Sequence, residues 1–393
     1  MIINGGVKGI YNIPSTASAS GVWSRFDQNI NKSLGRWPIA AGNTASPVIA
    51  STISVSPYVK VINFFPGSGF GTTFSNPGTL PSGPGNDIQF SPDNSSIVWV
   101  ELSGGIVKVL SWGSTGFGST LSNITVGSTY YAKSAQISPS GNFIAIRFVT
   151  NLSVGYVSIY NFNATTGIGS FRSSATVGTD NITSNGYDFV KWSPLEDSII
   201  TTTYNSPSST LYGFTFNSIT GVIGTAVELE FAANYDYYRG SIHPSGKALA
   251  IGGSFLSLHL FSYSSSTASA VSAGSVGTGG SAAVDASYSK DGTFLLASTP
   301  SNIYIHSTNS VNGAYISTIT SSATGYTTGR STISYSSSDI LYDLSNTTSY
   351  GIRGYPVTRT GSVPTGIGTS YSASFTSGSS VTTYSIVTNN YNY

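Results

Sequence analysis

The stretch FSPDNSSIVWV, residues 90–100, decides how this chain is read. An apolar residue is followed by Ser-Pro, a small polar turn and a dense apolar run. That is the order of an inner strand ending, a tight turn set by Pro and Asp, and a second strand returning antiparallel. The phrase recurs as Ile137-Ser138-Pro139, Trp192-Ser193-Pro194 and Ile242-His243-Pro244. It weakens to Tyr288-Ser289-Lys290, Tyr335-Ser336-Ser337 and Phe375-Thr376-Ser377. Successive copies lie 47, 55, 50, 46, 47 and 40 residues apart.

Outward from each copy the pattern continues. A third strand follows, as in VKVLSW (107–112), YVSIYNF (156–162), LHLFSY (258–263) and NIYIHS (302–307). A Gly- or Ser-rich turn and a fourth strand complete the unit, as in GSTGFGSTLSN (113–123) and ATTGIGSFRSS (164–174). Four short strands per repeat of this length make the blade of a β-propeller. Third strands near Val59, Val107, Val157, Tyr212, Leu258, Ile303 and Ile352 count seven blades. The expected fold is therefore all-β: a seven-bladed propeller of four-stranded antiparallel blades over residues 41–393, preceded by an arm at 1–40 with one short helix. The first unit lacks the Ser-Pro phrase. The strand around Phe375 is therefore expected to supply its innermost strand and close the ring. Whether VTTYSIVT (381–388) also enters that blade is open.

Composition sets limits. Of 393 residues only 8% are charged, but 39% are hydrophobic and 12% aromatic, enough to build a core. Net charge is +1, which gives no electrostatic case for nucleic acid or an anionic membrane. The absence of cysteine excludes disulfides and thiolate metal sites. The opening residues hold no continuous apolar run, so no secretory signal is expected, and no stretch has the length of a membrane-spanning helix.

Candidate chemistry is sparse. His243, His259 and His306 are the three histidines, at three different places within their blades. They are expected to be structural or surface residues, with His259 facing outward. Asp93, Asp197 and Asp291 fall in the turns after inner strands, where the side chain stabilises the turn. Asp87 and Asp285 begin inner strands and could line one mouth of the channel with Arg239 and Arg330. The expectation drawn from this scarcity is a protein without catalytic residues, cofactor or metal.

GVWSRFDQNINKSLGRWP, residues 21–38, differs from the rest. Trp23, Phe26, Ile30 and Leu34 recur at helical spacing. Ser24 and Asp27 suit a capped start, and Gly35 with Pro38 an end. Too short to be stable alone, the helix must bury its stripe on something. Trp23, Phe26, Ile30, Leu34 and Trp37 are the expected partner-binding anchors.

Two resemblances follow from these residues. FSPDN (90–94), ISPSGNFIAI (137–146) and VSIYNFNATTGIG (157–169) resemble the WD-repeat-like superfamily, especially its lactonase-like propellers, over about residues 44–388. The Gly-His and Trp-Asp pairs of true WD repeats are absent. Gly5-Gly6, STASAS (15–20), Gly21 to Ser24 and Trp37-Pro38 resemble an N-terminal segment of tailed-bacteriophage virion proteins. That second resemblance implies a non-enzymatic fibre, decoration or baseplate component, assembled in the host cytoplasm. Its implied partners are other virion proteins bound through the arm in multiple copies, and a host surface glycan, with no nucleic acid and no membrane insertion. Two alternatives stand beside it. One is a lactonase-like propeller hydrolase. The other is a sugar-binding propeller lectin, with NYDYY (234–238) and NNYNY (389–393) as the densest Tyr and Asn clusters.

Overall fold

A computed structural model describes residues 48–388 except 54–55, 57, 66–67, 80, 102–103, 127–129, 181–187, 206–207, 233–235, 255–256, 280, 324–330, 336–338, 345–350, 362 and 375–382. All belong to one compact unit, Ser46–Tyr393. The helix expected at 24–34 lies outside them.

Seven antiparallel sheets form the ring. Blade 2 runs Gly85–Phe90, Ser96–Glu101, Ile106–Gly113 and Gly116–Thr125 from the inside outward. Blade 3 repeats the order with Tyr130–Ile137, Phe143–Thr150, Val154–Asn163 and Gly167–Thr179. Inner strands of the next blades are Val190–Trp192, Tyr237–Ile242, Asp285–Tyr288 and Ser331–Tyr335. In blades 4 and 7 the fourth position is shared by two short strands, Val222–Ile223 with Val227–Ala232, and Val363–Ile367 with Tyr371–Ser374.

The Ser-Pro phrase works through one turn. The amide of its fourth residue donates to the carbonyl of its first in five blades: Asn94 to Ser91, Gly141 to Ser138, Glu196 to Ser193, Gly246 to His243 and Gly292 to Ser289, all at 2.8–2.9 Å. That fourth residue has positive φ every time, 59°, 75°, 57°, 71° and 68° in chain order. Gly or Asn fills it in four blades because a side chain strains there. Glu196 is the exception, and its carboxylate accepts from the Ser140 amide and hydroxyl of blade 3 at 3.0 and 2.7 Å. Asp93 and Asp291 accept from Ser91 and Ser289 of their own turns at 2.6 and 2.7 Å, as the sequence leads one to expect.

Second strands are buried on both faces, which is why they read as unbroken apolar runs; Ser96–Glu101 and Phe143–Thr150 are buried throughout. Apolar clusters fill the gaps between sheets. One joins Val98, Val100, Val107 and Val109 of blade 2 to Ile137, Ile144 and Ile146 of blade 3. Another joins Ile49, Ile62 and Phe64 of blade 1 to Ile352 of blade 7.

Closure differs from expectation. Thr383–Thr388 forms the innermost strand of blade 1, with Ile49 opposite Thr388 and Ser51 opposite Ile386. Val48–Ile53 stays as the second strand. The strand expected to close the ring, just before Phe375, instead pairs at the outer edge of blade 7, with Ile352 opposite Ala373. Phe375 itself lies outside the described residues. Among the described residues no helix is long and apolar enough to cross a membrane.

Candidate functional site

The site follows from a register in the inner strands. Counted back from the phrase proline, or from Lys290 in blade 6, Asp87, Ser134, Phe189, Arg239 and Asp285 occupy one level. Two residues nearer the turn stand Gln89, Gln136, Lys191, Ser241 and Ser287. The inner strands of blades 2, 3 and 5 each carry an irregularity at the upper level, between Gly85 and Asp87, Ala132 and Ser134, and Tyr237 and Gly240. A bulge breaks strict alternation and re-aims side chains. It is at these bulges that Asn86, Lys133 and Arg239 fall.

Neutral members of the lower level tie neighbouring blades. Gln89 Oε1 accepts the Ile137 amide at 2.8 Å and Gln136 Oε1 the Trp192 amide at 2.6 Å. Ser241 Oγ accepts the Tyr288 amide at 2.9 Å. Lys191 takes this level in blade 4, where an ammonium can donate but not accept.

Charged members form a cluster. Arg239 Nη1 lies 3.5 Å from Asp87 Oδ1, both mostly buried. These residues belong to blades 2 and 5, which are not neighbours, so the pair crosses the channel. Asp87 Oδ2 also accepts the Ser134 hydroxyl at 2.6 Å. Burial pushes the Lys191 ammonium below its ordinary value; Asp87 and Asp285 oppose the shift and Arg239 adds to it. Lys133 Nζ lies 3.9 Å from Asp188, both buried. Burial lowers Lys133 as well, against the attraction of Asp188 and Asp180. Behind them Arg147 pairs with Asp180, with neither side chain exposed.

Asp87, Asp285 and Arg239 thus gather about the channel as the sequence suggests, while Arg330 lies outside the described residues. Lys133, Asp188, Lys191, Arg147 and Asp180 were not singled out from the sequence. Repeat alignment could have found Lys191, which replaces Gln or Ser of its sister blades. The other four sit in strand or loop sequence without a motif.

The histidines stay apart. His243 is buried; its Nδ1 accepts the Ser245 amide at 3.1 Å, leaving Nε2–H to donate to Gly292 O at 3.2 Å. His259 is half-buried with its ring edge-on to Tyr237 at 5.3 Å, a correction to its expected outward position. Tyr237 is itself fully buried, so that member of NYDYY is not available to a sugar. His306 lies within the third strand of blade 6, fully buried, and burial pushes its imidazole down to about 4. Among the described residues no three His, Asp or Glu side chains converge to hold a metal ion. The anchors Trp23, Phe26, Ile30, Leu34 and Trp37 lie outside the described residues.

No family model matches the chain, and no curated protein matches it. Solved structures do. A candidate 6-phosphogluconolactonase from Bacteroides fragilis aligns at 12% identity and a TM-score of 0.66, over 88% of this chain and 99% of its own. One from Bacteroides uniformis aligns at 14% and 0.67, over 86% and 100%. The periplasmic gluconolactonase of Pseudomonas aeruginosa aligns at 10% and 0.64, over 86% and 99%. At such identities the likeness establishes the fold, a seven-bladed propeller with lactonase-like neighbours. It also corrects the expectation of a non-enzymatic virion component. The three propellers just named carry the names of gluconolactonases, and none of the comparisons names a virion protein.

Proposed function

We propose that the propeller is a lactonase-like hydrolase that opens a small hydroxylated cyclic ester in the channel. The observation that carries this reading is the Arg239–Asp87 pair spanning the channel between non-neighbouring blades, with Lys191 and Asp285 around it. In this reading Arg239 and Lys191 face the carbonyl oxygen and stabilise the oxyanion formed when water adds. Asp285 takes the proton of the attacking water. The ring C–O bond then breaks, and the departing oxygen recovers the proton to give the open hydroxy acid. Asp87, anchored by the Ser134 hydroxyl, positions the guanidinium. The names of the superposed propellers support the substrate class.

The test is hydrolysis of gluconolactone and its 6-phosphate, followed by acid release against the spontaneous rate. Arg239→Ala and Asp285→Asn should each cost roughly 100-fold or more in kcat/KM. A folded wild-type protein that accelerates neither lactone overturns the assignment.

A further inference from the structure

The turn phrase carries one departure that changes its chemistry. In blades 2, 3, 4 and 6 its second residue is Ser91, Ser138, Ser193 and Ser289. Each hydroxyl oxygen accepts a backbone amide of the returning chain, from Ser96, Phe143, Leu195 and Phe294 at 3.0–3.2 Å. In blade 5 the residue is His243, whose Nδ1 accepts the Ser245 amide at 3.1 Å with the Ser245 hydroxyl 2.7 Å away. The ring then reaches across to blade 6. Its Nε2–H donates to Gly292 O at 3.2 Å, and the Tyr288 ring stands edge-on to it at 5.0 Å. Gly292 and Gly313, in two turns of blade 6, close on the imidazole. A Cβ at Gly313 would stand 2.7 Å from its Cγ, and one at Gly292 would overlap Nε2. The Tyr288 hydroxyl donates to Gly313 O at 3.3 Å and the Thr308 hydroxyl to Gly292 O at 2.8 Å, which ties both turns around the ring.

We propose that His243 is a pH-sensitive latch on the seam between blades 5 and 6, closed while the imidazole is neutral and released when it takes up a proton. The added proton goes to Nδ1, where the Ser245 N–H already points. The Ser245 hydroxyl can turn to accept it, but the amide cannot, so the turn gives up a bond. The charged ring would also lie fully buried, with no carboxylate of the described residues bonded to it. The titratable groups around it are Lys247 of its own turn and Tyr288, Lys290 and Asp291 of blade 6. Burial pushes the Tyr288 phenol up, so it stays neutral throughout. Asp291 favours the proton, but its carboxylate is engaged by Ser289, Thr293 and, at 3.1 Å, Arg359 of blade 7. Burial outweighs that attraction and holds His243 below its ordinary value, so the latch is closed at neutral pH and opens in acid, below about pH 6.5. The serines of the sister blades do not titrate, which confines the release to one seam. The proposal does not rest on the hydrolase reading, because it is read from protection and titration without turnover.

Hydrogen–deuterium exchange of the full-length protein, corrected for intrinsic rates, is followed from pH 7 to 4 beside the imidazole nitrogen shifts of His243. At pH 7 those shifts should show the Nε2–H tautomer. Protection over 241–249, 288–294 and 307–314 should fall at least about tenfold as His243 titrates, while 89–96 and 137–143, at the seam of blades 2 and 3, keep theirs. His243→Asn retains an acceptor for the Ser245 amide and His243→Gln a donor for Gly292 O; neither titrates, and both should abolish the step. His306→Asn, which removes the other buried imidazole of this region, should leave the step in place and so separates local release from global acid unfolding. A His243 ring that stays neutral to pH 4, a titration without loss of protection at the seam, or a step that survives both His243 variants overturns the proposal.

Discussion

Replacing Asp180 with alanine removes the one carboxylate bonded to a guanidinium with no exposed surface. Arg147 Nη2 donates to Asp180 Oδ2, and Nη1 donates to Phe148 O at 2.7 Å and Tyr156 O at 3.4 Å. Asp180 Oδ1 accepts the Tyr204 amide of blade 4 at 3.0 Å. The substitution therefore strands a buried cation and orphans a backbone donor. It also removes one of the two carboxylates that attract Lys133, whose other close charge, Arg147, repels it. Breaking a buried pair from one side costs about 3–5 kcal/mol. In a propeller of this size that is a fall in Tm of roughly 4–7 °C. Urea unfolding followed by tryptophan fluorescence measures the loss as a shift in midpoint at constant slope. The double variant Arg147→Met, Asp180→Leu removes both charges and should recover at least half of the deficit. A single variant within about 1 kcal/mol of wild type would refute the reasoning, and so would a double variant no better than the single.

Acid should weaken the fold through His306. Its folded value of about 4 lies below the unfolded value near 6.5, so the unfolded chain binds more protons between them. The contribution, about 3 kcal/mol, is full above pH 6.5 and is lost as pH falls towards 4; burial lowers His243 and His259 in the same direction. His306→Asn should flatten that slope in urea midpoints recorded from pH 7 to 4, and an unchanged slope would count against it. Removing residues 381–393 takes away the inner strand of blade 1 and should cause aggregation on size-exclusion chromatography; a truncated chain that elutes and melts like the full chain speaks against this closure.

The blades were legible because the phrase is local: each turn is fixed by residues within six positions of one another. The closing strand was not. SYSASF and TYSIVT have similar alternation and apolar content, and the choice between them depends on partners more than 300 residues away in sequence. At the site, Asp87, Asp285 and Arg239 could be placed at the channel because they stand at fixed offsets from the phrase. Lys133 stands at a bulge, which breaks the period that would have located it. Arg147 sits in a second strand, where alternation predicts an apolar or solvent-facing residue, and its partner Asp180 lies after an outer strand. The sheet of blade 3 itself brings them together, the Asp180 amide donating to Ser153 O in the turn between its second and third strands at 2.8 Å.

Thr383–Thr388 has a consequence for how the chain is made. The ribosome delivers Val48–Ile53 more than 300 residues before its inner neighbour, so the first blade waits for its final strand while all the other blades emerge. Middle blades can assemble in order of emergence, but the ring cannot shut until Thr383–Thr388 has emerged. A nascent chain stalled before residue 383 would hold an open arc for a chaperone to guard.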